Sequence, residues 1–228
     1  MTLQDYVTKT YRLLRDEGSL YNQGDVIAWV NEARHLRDYD TRLVRKVVSF
    51  TLVATQSTYD LGTISAGPMI RGDAAFSNAR DIVSVYIIPT GGTAGGTGLR
   101  YPLGRQPYSK VSYLCSTSWP SYPTVYGVIG WNTVVLAPPP AIAYAAEWDL
   151  VGNYPDLTGL ASVDPMPDPY NDPVPYMAAA IAKENMQRFD EAQMFEGTYV
   201  KRLNQLGFGV RRFAVANPGS DLPRGVRR

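Results

Sequence analysis

Cysteine and histidine are scarce in this sequence, and their scarcity excludes several kinds of site. The single cysteine, Cys115, excludes an internal disulfide framework and fits assembly in a reducing compartment. The single histidine, His35, excludes a metal site built on several histidines. His35 stands on a predicted polar helix face beside Asp38, and Cys115 has no basic neighbour in sequence. We interpret them as a solvated histidine and an inert core thiol, and we expect no catalytic residue, no metal and no cofactor.

The chain also has almost no net charge. The chain has 22 Lys and Arg against 21 Asp and Glu, so no global field draws it to nucleic acid or to an anionic membrane. Residues 111–146 contain no charged side chain, but prolines interrupt this run, so we expect buried or interfacial β structure there and no membrane span. The opening residues lack the basic and apolar regions of a secretory signal, so we expect assembly in the cytoplasm.

Helical periodicity is found at the two ends of the chain. Thr2 and Asp5 form a capping-box pattern before an apolar face that runs to Leu14, and Gly18 is expected to end this helix. Asp25 is the expected N-cap of a second helix. One face of that helix carries a polar stripe that we expect to face solvent: Asn31, Arg34, His35 and Asp38.

Two further helices are predicted after residue 172. Pro173 and Pro175 suit the first turn of a helix that runs from about Tyr176 to Arg188, and Asp190 is expected to cap the last helix. Glycine within this last helix costs about 1 kcal/mol relative to alanine, so we expect a neighbouring helix to approach closely at that glycine. Small residues also permit close helix contact. The candidate subunit contacts are Ala178, Ala179, Ile181 and Gly197.

Between the helix pairs the hydrophobic period changes to two, which indicates strands at 47–54, 82–88, 125–129, 133–136 and 143–151. Gly130-Trp131-Asn132 is expected to form a tight hairpin. The sequence thus predicts an α+β fold in which helical hairpins from both chain ends flank an inserted small antiparallel sheet or sandwich, followed by an extended C-terminal tail. We expect an N-terminal helix pair at 1–42, a β-rich domain at 43–163, a linker and C-terminal helix pair at 164–207 in the same helical domain, and a basic tail at 208–228.

Two segments invite a chemical interpretation that their residues do not support. The glycine-rich stretch Thr90–Gly98 lacks the lysine and the following helix of a phosphate-binding loop, so a hairpin tip is favoured. Asp164, Asp168 and Asp172 recur at four-residue spacing, as in a metal or acid–base site. The prolines between them hold the segment extended, so these carboxylates cannot share a helical face, and we expect a solvated linker.

The aromatic residues leave a second class of function open. The chain has 16 tyrosines and 4 tryptophans, and aromatic planes suit the stacking of sugar rings. Most of these residues occur at core periods or beside proline and glycine, where packing or turn roles suffice. A carbohydrate-binding module on a virion or cell surface is the alternative that this composition supports.

The C-terminal residues combine arginine with apolar side chains. From residue 208 onward five arginines stand against one aspartate, which gives this tail a charge of about +4. One interpretation is a frayed, solvated terminus. Such a terminus needs no apolar residues, so the phenylalanines and valines between the arginines make a docking arm an equally favoured interpretation. The residues expected to dock are Phe208, Val210, Arg211, Arg212, Phe213, Val215, Arg224, Arg227 and Arg228.

Several short segments share an order that points to a known family. They are Trp29–Arg34 on the second helix, Gln56–Leu61, Pro120–Tyr126, Val134–Pro140, Tyr144 with Glu147, Ala178–Ala182, and the last-helix residues Ala192, Phe195, Tyr199 and Leu203. In this order they resemble the phage head-to-tail adaptors, also called connector or head-completion proteins. A proline usually follows the Tyr-x-Leu of that pattern, whereas here Gly62 opens an insertion that extends to about Ala79.

This resemblance implies a structural virion protein without enzymatic turnover. It implies a homo-oligomeric ring, a dodecamer by family resemblance, located in the virion neck at the head-to-tail interface and assembled in the host cytoplasm. The implied partners are the portal protein and the tail nozzle or other tail proteins. DNA would pass through the ring without sequence-specific binding, and the C-terminal arm would reach the portal.

Overall fold

The computed structural model describes residues 1–15, 20–88, 99–130 and 132–207. Six helices occur in these residues: α1 (Leu3–Leu14), α2 (Gln23–Thr41), α3 (Leu61–Ser65), α4 (Tyr108–Thr117), α5 (Val174–Asn185) and α6 (Phe189–Gln205). The same residues contain nine strands: β1 (Arg45–Thr51), β2 (Thr58–Asp60), β3 (Met69–Gly72), β4 (Asn78–Ile88), β5 (Tyr101–Pro102), β6 (Gly104–Arg105), β7 (Val125–Ile129), β8 (Thr133–Ala137) and β9 (Ala145–Asn153). The predicted α+β class is confirmed. The predictions for Gly18, Thr90–Gly98, Trp131 and the tail from Phe208 onward lie outside the described residues.

The chain divides into two compact units. A helical unit comprises residues 1–41 and the chain from Asp156 onward, with α1, α2, α5 and α6. A β unit comprises Arg42–Pro155 and contains all nine strands together with α3 and α4.

Helix α1 begins at the predicted capping box. The Thr2 side chain accepts a hydrogen bond from the Asp5 backbone N–H, and the Asp5 carboxylate accepts one from the Thr2 N–H at 2.9 Å. The backbone N–H groups of Leu3 and Gln4 donate to the carbonyls of Ser162 and Leu160. The first backbone N–H groups of a helix have no acceptor within the helix. In α1 these groups find acceptors nonetheless, in part on a segment about 160 residues further along the chain.

Helix α5 lies at the centre of the helical unit. Every residue from Met177 to Lys183 is buried, and α1, α2 and α6 all pack against this helix. A helix that is buried on all sides needs small side chains so that its neighbours can approach, which accounts for the alanines. Pro173 and Pro175 stand at its start as predicted, whereas α6 begins at Phe189, so that Asp190 lies in the first turn and is not the cap.

The polar stripe of α2 is buried, so the prediction that it faces solvent is wrong for Asn31, Arg34 and Asp38. Helix α2 also starts at Gln23, two residues before the expected cap Asp25. The Asn31 side-chain amide donates to the Leu157 carbonyl, and its oxygen accepts from the Leu157 N–H. The stripe is therefore covered by the chain that returns from the β unit.

Asp164 is the centre of this buried polar network, and the prediction that it belongs to a solvated linker is wrong. Its Oδ2 accepts hydrogen bonds from Arg34 Nε at 2.8 Å, Arg37 Nη1 at 3.0 Å and the Tyr6 hydroxyl at 2.8 Å. Arg37 also donates to Asp38 Oδ1. Two arginines and two aspartates thus balance in charge inside the unit, as buried charges require.

Charge pairing sets the protonation state of Asp164. Burial alone would raise the pKa of its carboxyl group, but the positive charges and hydrogen bonds of Arg37 and Arg34 outweigh burial and hold the pKa far below its ordinary value of 3.8. Burial and the adjacent carboxylate raise the pKa of Tyr6. At neutral pH the phenol therefore donates its proton in a hydrogen bond to an ionised carboxylate.

The β unit is built from two sheets that share one core. One sheet has the order β3-β1-β9-β4-β5 and the other the order β2-β8-β7-β6. All pairs are antiparallel except β6 with β7, which are parallel. Buried side chains from both sheets, including Val48, Ile87, Tyr126, Leu136 and Trp148, form a single apolar cluster. The predicted sandwich is thus present, and β7 and β8 form the predicted hairpin around Gly130.

Helix α4 corrects the prediction that residues 111–146 are β structure throughout, since the run begins inside a helix. Val111, Leu114 and Cys115 pack against Val135 and Ala137 of β8. Their spacing of three and four residues places them on one side of a helix. The absence of charged residues indicates burial, but it does not distinguish the period of a helix from that of a strand. Helix α3, which begins at Leu61, and strand β3, in the insertion after Gly62, are also not predicted by the sequence pattern.

Replacing Asp164 with asparagine should destabilise the helical unit by about 3–5 kcal/mol, because two buried arginines lose a charge partner. Urea unfolding followed by circular dichroism at the helical band measures this loss. Asp168→Asn is the matched control, because Asp168 lies in the same segment but is exposed, and asparagine keeps the side-chain oxygen that accepts from Asn171, so this variant should change stability by less than about 1 kcal/mol.

The same pair of proteins should show a defined pH dependence. Because the pKa of Asp164 is depressed in the folded state, its contribution is complete above the ordinary pKa of 3.8 and is lost as the pH falls through the folded value. The stability difference between wild type and Asp164→Asn should be constant from pH 7 to about pH 5 and should shrink below about pH 4. A difference that stays constant down to pH 2.5 would contradict the ionised network.

Candidate functional site

The described residues contain no group of three or more His, Cys, Asp or Glu side chains placed to hold a metal ion. His35 Nε2 lies 3.0 Å from Asp156 Oδ1, and the predicted neighbour Asp38 instead binds Arg37. Burial raises the pKa of the Cys115 thiol, whose Sγ donates to the Leu136 carbonyl at 3.2 Å. A thiol in this state is a poor nucleophile, which agrees with the interpretation of Cys115 as an inert core residue.

The three aspartates at four-residue spacing do not form one site. Asp164 is buried among the arginines of α2, Asp168 is exposed, and Asp172 forms an ion pair with Arg202 of α6. Each carboxylate thus has a different environment, and this segment offers no shared metal or acid–base geometry.

The candidate subunit contacts fall in two environments. Ala178, Ala179 and Ile181 are buried in the core of their own chain, where they let α5 pack against its neighbours. Gly197 is exposed, and a Cβ atom added there would meet no described atom within 4 Å. The close helix approach expected at Gly197 is therefore not made by the described part of this chain.

The exposed side of α6 around this glycine is mixed, because Asp190 and Lys201 lie on it together with two large apolar side chains, Phe189 and Met194. We call the α6 face the surface formed by Phe189, Gln193, Met194 and Gly197; the Met194 side chain is 72 % exposed. The opposite side of α6 is anchored, because Tyr199 and Leu203 are buried and the Tyr199 hydroxyl donates to Asp40 on α2 at 2.9 Å. Two large apolar side chains in water on a well-anchored helix make the α6 face a candidate interaction surface.

Helix α4 of the β unit also carries exposed aromatic residues. Tyr108 and Tyr113 on the helix and Trp119 just beyond it are exposed, and Trp119 at 89 % has almost no contact with its own chain. Lys110 is the one charged residue on this helix. We call these three aromatic residues the α4 face, and isolated exposure of so large an aromatic residue also favours a partner contact.

Three tyrosines of the β unit form a further aromatic cluster. The rings of Tyr101, Tyr122 and Tyr144 meet edge to face, with centroids 5.6 and 5.3 Å apart along the series. Burial and the neighbouring phenols raise the pKa of Tyr122 to about 12. These rings pack on one another and do not form a flat platform, so they offer less than the α4 face for stacking on a sugar.

A cationic pocket lies on the helical unit between α1, α5 and α6. This cavity of about 310 Å³ is lined by Lys9, Arg12, Leu13, Asp172, Pro175, Tyr176 and Arg202. The Arg202 guanidinium stacks on the Tyr176 ring at 4.3 Å from its centroid and donates to the Tyr176 hydroxyl at 2.8 Å. No local sequence pattern predicts this pocket, because its cations come from helices that are about 190 residues apart in the chain.

A family model described as SU10 adaptor protein matches residues 1–221. The chain belongs to this family. A search of curated proteins finds no match.

Family membership makes the chain a structural adaptor protein of a phage virion. This confirms the coarser part of the resemblance stated above. None of the helices in residues 1–15, 20–88, 99–130 and 132–207 is long and apolar enough to cross a membrane.

Gly197→Ala should stabilise the free subunit by up to about 1 kcal/mol, because alanine favours the helix and its methyl group meets nothing. Gly207→Ala is the matched control. Gly207 is equally open, but its φ of +85° is a conformation that disfavours alanine, so this variant should lose about 1 kcal/mol. Thermal unfolding shows whether each substitution raises or lowers the stability of the subunit. Destabilisation by Gly197→Ala would show that the α6 face is already in contact in the free protein.

Proposed function

We propose that this adaptor forms a ring between the portal and the tail, which extends the DNA channel and seats the tail. The family match over residues 1–221 carries this proposal. The exposed α6 and α4 faces support it, because they leave large apolar side chains in water. The proposed role requires no catalytic turnover, and its location is the virion neck after assembly in the host cytoplasm.

The α6 face is the proposed contact between copies of the chain. Contacts between two different surfaces of identical subunits close into a ring when the rotation between neighbours allows it. Gly197 lets a neighbouring backbone approach, and Met194 and Phe189 supply apolar area beside it. The α4 face is the proposed contact with another virion protein.

DNA passes through the proposed ring without being read. The near-neutral charge of the chain supplies few phosphate contacts, so binding to DNA would be weak and would fall with salt. The arginine-containing tail is proposed to dock on the portal, where its apolar residues contribute most of the affinity.

Mixing the purified chain with the portal of the same phage should convert a monomer or weak oligomer into a defined ring. Light scattering measures the increase in mass. Met194→Glu should block ring formation, because it places a charge in the α6 face. Gln4→Glu adds the same charge to an exposed position of α1 and should leave the ring intact. An unchanged mass with portal present would count strongly against the proposal.

Truncation after Gly207 should abolish attachment to the portal while the thermal stability of the free subunit stays nearly unchanged, because a tail of this composition cannot form a core of its own. Phe208→Ala and Phe213→Ala should each weaken attachment by roughly 10- to 100-fold, as expected from about 1.5–3 kcal/mol per buried side chain.

Arg227→Ala is the control for these variants, because an exposed ion pair contributes only about 0–1 kcal/mol, or up to roughly fivefold in affinity. Surface plasmon resonance on immobilised portal measures all of these affinities. Full affinity of the truncated protein would assign the tail to a solvated terminus.

A further inference from the structure

The cationic pocket of the helical unit is not explained by packing or by the proposed ring contact. Three cations line it, those of Lys9, Arg12 and Arg202, against the single carboxylate of Asp172. Asp172 is already shared, because one oxygen binds Arg202 Nη1 and the other lies 4.0 Å from Lys9 Nζ. The pocket therefore keeps a surplus of two positive charges.

Arg202 is held in place as a preorganised anion ligand would be. Its guanidinium is fixed by the stack on Tyr176, by the Tyr176 hydroxyl and by Asp172. A guanidinium has five N–H donors in a rigid fork, so donors remain for a further acceptor. Because the side chain is already ordered, a bound anion would not have to fix its rotamers.

The rest of the lining favours one class of anion. Leu13 and Pro175 supply apolar surface next to the cations, which suits the methylene groups of an acidic side chain. We propose that this pocket binds the carboxylate of a glutamate or aspartate on a partner protein, with the carboxylate on Arg202 and Arg12. The tail of this chain suits the pocket poorly, because its one aspartate is accompanied by five arginines that the pocket cations would repel.

Nucleic acid fits the pocket less well. Useful affinity for DNA comes from many phosphate contacts spread along a surface, whereas this cavity gathers three cations around one point. A phosphate would also leave the apolar side of the pocket unused. The inference rests on the proposed assembly role in one respect, namely that the acidic residue belongs to a partner protein.

The test uses the full chain without portal, so that its failure would not bear on ring formation. The probes are the blocked peptide acetyl-Leu-Glu-Leu-amide and the same peptide with glutamine in place of glutamate. NMR titration at low salt should shift the amide signals of Tyr176 and Arg202 with the glutamate peptide. The glutamine peptide should bind about tenfold more weakly, because it cannot form charge-assisted hydrogen bonds.

Two variants and a control locate the site. Arg202→Gln and Arg12→Gln should each weaken the glutamate peptide by about tenfold. Lys110→Gln removes one exposed cation from α4 in the other unit and should have less than a twofold effect. If Arg202→Gln perturbs the fold, Arg12→Gln still tests the proposal, because Arg12 is exposed on α1.

Three results would overturn the proposal. One is equal binding of the two peptides, or no shift at Tyr176 and Arg202 up to millimolar peptide. The second is an equal loss of affinity in Lys110→Gln and Arg12→Gln, which would indicate unspecific attraction. The third is a short DNA duplex that shifts the same amide signals and binds more tightly than the glutamate peptide, which would assign the pocket to phosphate.

Discussion

The carboxylate of Asp164 accepts hydrogen bonds from Tyr6 on α1 and from Arg34 and Arg37 on α2, and the helical unit depends on this group. It stands where the chain returns from the β unit, so one ionised oxygen joins the two N-terminal helices to the segment that follows that unit. Burying two arginines would be prohibitive without it. Removing one partner of this network would leave a buried charge without compensation, which is why the network holds together as a unit.

With this interior satisfied, the chemistry that remains for function lies on the outside. The α6 face, the α4 face and the cationic pocket differ in character: the first is a helix surface with exposed Phe189 and Met194 around a glycine, the second is aromatic, and the third is positively charged. The three surfaces therefore suit partners of different chemistry. This is the kind of surface expected of an adaptor, whose task is to contact several other proteins at once.

Local signals in the sequence were sufficient where the interaction spans only a few residues. The capping box of Thr2 and Asp5 and the prolines at the start of α5 lie as predicted, because cap geometry depends on residues within one helical turn. Alternating β-branched residues likewise predicted the long strands of the β unit. Helix α4 was missed, because a lack of charge indicates burial without indicating a period.

The sequence by itself therefore determined the α+β class, the helix pairs near both ends, the longer strands between them, and the membership that its ordered segments suggested. Only the tertiary structure decided which polar residues are buried. Arg34 and Asp164 are 130 positions apart, and each alone is typical of a solvated residue. The same holds for Lys9 and Arg202, which line one pocket although they lie on the first and last helices. A charged residue can be buried only if the fold brings an oppositely charged partner next to it, and a local sequence pattern does not show which distant residues the fold brings together.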